Sequence, residues 1–138
     1  MQGYYSESEP LYLQALVIRK KILGNDNLVV ASTLNALAGL YEKQGRSKEA
    51  ESFCLESLAL RKKFLGDHHT DVAQSYWWLG VLFSKMQEYR KAKTLYFLAL
   101  EIFEETLGKN HPRTRNLIDF LNDIPEHIEP IPLEELGL

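Results

Sequence analysis

Three glycines close the same phrase at one interval: Ile22-Leu23-Gly24, Phe64-Leu65-Gly66 and Thr106-Leu107-Gly108. The spacings are 66 − 24 = 42 and 108 − 66 = 42. A chain that repeats at this interval builds one small unit several times, and each unit is stabilised mainly by its neighbours. The register extends past the glycines: Leu16, Leu58 and Leu100 align, as do Ile18, Leu60 and Ile102, Ala50 and Ala92, Ala31 and Ala73, and Leu37, Leu79 and Leu121. Tyr41 aligns with Phe83, and Gly3 with Gly45, whereas the next copy has Gln87 there. The repeat organisation covers residues 1–124: a half repeat at 1–24, full repeats at 25–66 and 67–108, and a half repeat at 109–124. A proline-containing tail follows at 125–138.

Each copy reads as two antiparallel helices. Val72, Ala73, Tyr76, Leu79, Gly80 and Phe83 recur at spacings of three and four, the signature of one helical face. A turn is expected at Lys85-Met86-Gln87-Glu88, matching Lys43-Gln44-Gly45-Arg46. The second helix places Tyr89, Ala92, Leu95, Tyr96, Ala99, Leu100 and Phe103 on its apolar stripe. Gly108 fits the residue after a helix end, where positive φ costs glycine little. The small residues Gly80, Ala92 and Ala99, with Ala38 and Ala50 before them, belong where two helices cross closely. Helices are expected over 28–43, 47–65, 70–85 and 89–107, five or six in all, with no sheet.

Those residues carry a resemblance. Leu34-Asn35-Ala36-Leu37-Ala38-Gly39-Leu40-Tyr41, then Gln44-Gly45 and Lys48-Glu49-Ala50-Glu51, resemble the tetratricopeptide repeat. The period exceeds the common one of about 34 residues. With the Leu107-Gly108 to His111-Pro112 link, it is similar to the kinesin-light-chain and nephrocystin subtype. The resemblance implies an all-α solenoid, a superhelix of antiparallel helix pairs, and a non-catalytic scaffold that binds protein segments. Two links depart from the pattern: Thr70 follows His69 in place of proline, and Asn27-Leu28 replaces the His-Pro pair.

Composition excludes several other classes. A net charge of −3 over 138 residues gives no nucleic-acid footprint. No apolar run approaches the ~18 residues of a membrane span. A single cysteine, Cys54, precludes an internal disulfide, and its place on the buried stripe makes it a small hydrophobe. A reducing, cytoplasmic setting is expected. No phosphate-binding glycine loop, metalloprotease helix or nucleophile elbow occurs, so no enzyme activity and no cofactor are expected. His69 and His111 occupy one link position in successive copies and are expected to start helices rather than bind metal. Arg19-Lys20-Lys21 and Arg61-Lys62-Lys63 lie near helix C-termini, where cations complement the helix dipole. Glu101, Glu104 and Glu105 read as a solvated helix face.

In the family resembled, the first helix of each pair lines the concave side. Counting outward from Leu34, Leu37 and Tyr41 gives Ser32, Asn35, Gly39, Glu42 and Lys43 as groove-facing. From Tyr76, Leu79 and Phe83 the same count gives Gln74, Trp77, Val81, Ser84 and Lys85, with Trp78 at the groove's edge. Asn116 and Phe120 are the equivalents on the third such helix. With Tyr76 inward and about 100° per residue, Trp77 is expected to face solvent in the groove. Exposed aromatics dominate binding hot spots. A clamp for a terminal carboxylate, which the family also supplies, is not expected, because only Asn35 among its positions has fitting chemistry. The partner expected is an extended peptide with an apolar anchor and acidic residues, drawn by Lys43 and Lys85.

The first helix leaves an apolar face at Tyr5, Leu11, Tyr12, Ala15 and Leu16, which implies either self-association or shielding by the tail. A purely structural module that self-associates, or a regulatory fragment of a larger signalling protein, is therefore the alternative function. The tail around Ile124-Pro125 to Ile131-Pro132 cannot run as a helix through its prolines. It is either disordered or similar in chemistry to the ligand the groove would hold.

Overall fold

A computed structural model describes residues 2–24 and 27–138, with side chains from Ser8 onward apart from residues 25 and 26. Among those residues the chain forms seven helices and no strand: α1 (Gln2–Leu23), α2 (Leu28–Lys43), α3 (Ser47–Leu65), α4 (Thr70–Lys85), α5 (Tyr89–Thr106), α6 (Pro112–Asn122) and α7 (Leu133–Leu136). The four helices of the full repeats lie where apolar periodicity puts them. The four-residue α7 is not indicated by that pattern.

The links explain the period. Each helix that opens a repeat is capped by the side chain at one repeat position. Asn27 Oδ1 accepts from the Val29 N–H at 2.8 Å, His69 Nδ1 from Asp71 at 3.0 Å and His111 Nδ1 from Arg113 at 3.1 Å. An imidazole nitrogen thus substitutes for a carboxamide oxygen, satisfying an N–H that the helix leaves unpaired. The preceding glycines have positive φ, from 86° at Gly24 to 91° at Gly108. The inner turn is less well served. Gln87 takes φ +63° where its counterpart Gly45 takes +78°, and a side chain there carries a strain that glycine avoids.

Packing divides the chain into two compact units, residues 1–64 and 65–138. In the first, Leu16 of α1 meets Val30, Ala31, Leu34 and Leu37 of α2 and Leu60 of α3, with Leu13 and Phe53 packed alongside. Leu16 is therefore a core residue, correcting its place on an exposed face. Leu and Ala side chains at i and i+3/i+4 point to one stripe, and Leu16 shares it with Leu13. Leu11 and Tyr12 are exposed as expected, Ala15 is half-buried, and Tyr5 lies outside the described side chains. Pro10 sits inside α1, where it removes one helical hydrogen bond.

A polar lock ties α1 to the turn after α2. Glu9 accepts from Tyr41 Oη at 2.8 Å, from Gln44 Nε2 at 3.4 Å and from Arg46 Nη1 at 3.3 Å. The Arg46 guanidinium lies 4.2 Å above the Tyr41 ring. The Tyr41 hydrogen bond, followed by Gln44 and the Arg46 charge, holds the Glu9 carboxyl below its ordinary 4.5 against the opposing effect of burial. A depressed folded-state value contributes stability above the unfolded value and loses it as pH falls through the folded one. Stability should therefore drop on acidification below about pH 4.5 more steeply in the native chain than in Glu9→Gln. Denaturation midpoints across that range check this, and parallel pH curves for the two proteins would contradict it.

In the second unit α4 and α5 share the densest seam. Val72, Ala73, Leu79, Ala92, Leu95, Ala99 and Phe103 are fully buried, and Tyr76 and Phe83 nearly so. Tyr89 and Leu100 depart from the expected stripe, being exposed and half-buried respectively. Tyr89 is the first residue of α5 and borders a cleft, whereas Leu100 lines a surface concavity with Phe97, Glu101 and Glu104. Cys54 is buried, and burial pushes its thiol up to about 12, the state of a packing residue rather than a nucleophile.

Candidate functional site

The site begins with a missing side chain. A Cβ built on Gly80 would stand 2.6 Å from Tyr96 Cε1 and 2.8 Å from Cδ1, so the Tyr96 ring lies directly on the α4 backbone. The equivalent positions in the preceding repeat are Ala38 and Cys54. There a smaller side chain on α3 leaves room for a methyl on α2. Gly80 and Tyr96 thus exchange size across the seam.

The buried Tyr96 ring stacks on Phe120 of α6, with centroids 6.1 Å apart and planes at 18°. Its hydroxyl lies 3.4 Å from Ser84 Oγ, and burial raises its pKa. Phe120 also meets Trp77 edge-on at 5.3 Å, and Trp77 meets Phe103 at 5.9 Å. This aromatic run supports one wall of a cleft of about 250 Å³, lined by Val81, Ser84, Lys85, Tyr89, Tyr96, Phe120, Asp123 and Ile124. Small-molecule pockets occupy roughly 300–1,000 Å³. The cleft suits one large side chain better than a cofactor. Lys85 and Asp123 at its lining offer charges of both signs for the backbone and neighbours of such a side chain.

The structure brings Val81, Ser84, Lys85 and Phe120 together around this cleft. Gln74, Trp78 and Asn116 are exposed on the same two helices, α4 and α6. In the first unit Ser32 and Lys43 are exposed, and Gly39 and Glu42 are half-buried. Trp77 is corrected: it is half-buried, wedged between Phe103 and Phe120 with its Nε1 shut away from solvent. Trp78 is the more open tryptophan, with 40% of its surface exposed. Asn35, one repeat earlier, behaves as Trp77 does. With its amide oriented to satisfy both ends, its nitrogen donates to Ser57 Oγ at 3.1 Å and its oxygen accepts from Arg61 Nη1 at 3.1 Å and Nη2 at 2.7 Å. Arg61 and Phe103 are themselves repeat equivalents. Position 35/77 therefore points along the seam toward its own second helix, and in the second repeat the neighbouring Trp78 is the exposed one.

Tyr96, Tyr89, Asp123 and Ile124 line the cleft but are not among the groove residues read from sequence. Tyr96 had a signal: it is the large partner of a glycine at a position filled by alanine one repeat before. A second, wider concavity lies beside Phe97 and Leu100 and is bordered by Glu101, Glu104, Glu105, His68 and Lys109, with His68 Nδ1 3.3 Å from Glu105 Oε2. Among the described residues no cluster of three or more histidine, cysteine or carboxylate side chains could hold a metal ion, and no helix is long and apolar enough to cross a membrane.

Paired helices repeating at a fixed interval define a helical-repeat protein of the kind that mediates protein–protein interaction. The chain belongs to the tetratricopeptide-repeat family, whose model matches residues 1–63 and again 30–97. Among solved structures it is similar to BtubC (BKLC) from P. vanneervenii, at 23% identity and a TM-score of 0.81 over 88% of this chain and 49% of that one. It is equally similar to a Podosopora anserina protein described as a putative kinesin light chain with nearly identical TPR-like repeats. That match has 22% identity and a TM-score of 0.81 over 89% of this chain and 58% of the other. At these identities the likeness establishes the α-α solenoid fold. The chain spans about half the length of either structure. No curated protein matches its sequence.

Proposed function

We propose that this chain is a non-catalytic adaptor that binds an extended peptide or protein segment through the first helices of its repeats, seating one apolar side chain in the cleft beside Tyr96 and Phe120. The observation that carries this reading is the cleft itself: a partly apolar recess of side-chain size, with Lys85 and Asp123 in its lining. Phe120 and Trp78, each 40% exposed, supply the aromatic surface that dominates binding hot spots. Gln74 and Asn116 complete the proposed surface of the second unit, Ser32, Gly39 and Lys43 are proposed to serve the same role within the first, and Asn35 and Trp77 act behind these surfaces by fixing the helix pairs. An acidic residue beside the anchor would meet Lys85. No cofactor is required. The repeat domain is taken as residues 1–124, and a reducing cytoplasmic setting suits the buried thiol.

Panning the native chain against a phage-displayed library of random peptides tests the reading. Enriched peptides should carry a large apolar residue flanked by Asp or Glu, and Phe120→Ser should abolish their capture at temperatures where the variant is still folded, although loss of the Trp77 and Tyr96 contacts lowers its melting transition. Peptides that bind Phe120→Ser equally well would overturn the cleft assignment. A second reading, self-association through α1, is favoured by the exposure there of Leu11, Val17, Ile18 and Ile22. It predicts a concentration-dependent mass that Ile18→Glu abolishes.

A further inference from the structure

The tail is seated on α5 by a set of donors that all address its backbone. Lys93 Nζ donates to the Ile128 carbonyl at 2.8 Å and Arg90 Nε to the Glu129 carbonyl at 2.9 Å. Thr94 Oγ1 has two carbonyls near it, Ile131 at 2.7 Å and Arg90 at 3.3 Å, and the nearer takes its single proton. Ile131 itself is buried, with 8% of its surface exposed, and Thr94 beneath it with 6%. Pro130 and Pro132 flank Ile131 and bring no N–H that would need a partner. They also hold the segment extended, which lowers the entropy lost on docking.

The complete set of donors is not part of the repeat scaffold. One repeat earlier, the positions of Arg90, Lys93 and Thr94 hold Lys48, Glu51 and Ser52. The serine keeps a hydroxyl, but an ionised glutamate cannot donate to a carbonyl. Glu51 also engages the one remaining cation, with Lys48 Nζ 3.4 Å from its Oε2. The pair of cations aimed at a neighbouring backbone is therefore particular to the second repeat. With Thr94 it recognises an extended backbone through three side-chain donors, and the seat takes one apolar side chain as its only buried anchor from residues 128–131. Few buried contacts hold the segment, which places it at the low-stability end of the fold.

We infer that the Arg90–Lys93–Thr94 flank of α5 is a second peptide-binding site, distinct from the cleft, that residues 128–131 occupy in cis. Its ligand in trans is an extended partner segment of the same chemistry: an apolar residue, an acid, a proline and a branched aliphatic anchor. The resident tail competes with that partner, so the site is available in proportion to the fraction of chains whose tail is released.

The 138-residue chain carrying Ile131→Asp tests the inference, because a carboxylate in the anchor's seat expels the tail and leaves α5 unaltered. The reagent is a fluorescein-labelled peptide with the sequence of residues 125–133, followed by anisotropy. The variant should bind it at least about tenfold more tightly than the native chain, since the competing segment no longer fills the site. Adding Thr94→Val should remove that gain, whereas Phe120→Ser should leave it. Equal binding by native and Ile131→Asp chains, or binding that survives Thr94→Val, overturns the assignment. Should Ile131→Asp fail to fold, the native chain serves. A glutamate-specific protease cutting after Glu126 must also draw in the residues that follow, so it acts on the released tail. Excess unlabelled peptide of that sequence, made with glutamine at the position of Glu126 so that the protease cannot cut it, should speed that cleavage, and an unchanged rate overturns the inference. A native chain that sediments as two copies exchanging tails would overturn the partner reading in favour of exchange between copies.

Discussion

Replacing Gly80 by alanine should destabilise the protein by about 1–3 kcal/mol, the usual cost of forcing a methyl into a packed seam. The added Cβ would meet Tyr96 Cε1 at 2.6 Å, and the ring cannot simply swing away, because it is stacked on Phe120. The preceding repeat supplies the compensating change. Its Ala38 and Cys54 fill the same two positions without conflict, and both are buried. Gly80→Ala combined with Tyr96→Cys should therefore cost less than the two single substitutions added together, the coupling expected of residues in contact. Guanidinium denaturation of the four proteins measures it. Strict additivity would show that the two positions do not exchange size. The double variant should also lose peptide capture, because Tyr96 forms a wall of the cleft.

The two tryptophans should separate equally clearly. Trp77→Ala removes an indole wedged between Phe103 and Phe120, and the expected loss is about 3 kcal/mol, the low end for a large aromatic that is only half-buried. Trp78→Ala removes a ring that is 40% exposed and should change stability by no more than about 0.5 kcal/mol, as exposed positions usually do. Thermal unfolding of both variants decides the matter. Equal losses would mean that the α4–α6 packing does not hold the unit together. In binding assays the order should reverse once protein is well folded: Trp78→Ala weakens capture directly.

The fold was legible because the same spacing is written repeatedly. Helix ends, capping positions and the seam residues Val72, Ala73, Leu79, Ala92 and Ala99 follow from period and size alone. The groove was less legible because it requires the rotational phase of a helix. Counting outward from Tyr76 puts Trp77 in solvent, yet a neighbouring seam can accept it. An offset of one residue turns a side chain by about 100°, enough to exchange the roles of Trp77 and Trp78. Asn35 shows why the polar copy misleads. Its carboxamide looks outward-facing by chemistry, but Ser57 and Arg61 satisfy it inside the seam. The tail's docking place on α5 was not legible, since its bonds run from side chains to carbonyls. A carbonyl is present at every residue, so no residue type in 128–131 announces the contact.

The pairing of repeat positions sets a rule for anyone recombining these modules. Asn35 answers Arg61 and Trp77 answers Phe103, each across 26 positions of chain, while Ala38 answers Cys54 and Gly80 answers Tyr96 across 16. The helix pair is thus the smallest transferable part. A chimera that exchanges a whole pair carries both members of these four matches, whereas a crossover placed in the inner turn would join Trp77 to Arg61 and Gly80 to Cys54. Grafts should accordingly be cut at the capped links at positions 27 and 69, where a side chain accepts a hydrogen bond from the helix it opens, whereas a cut at 111 would part Phe120, Asp123 and Ile124 from the rest of the cleft.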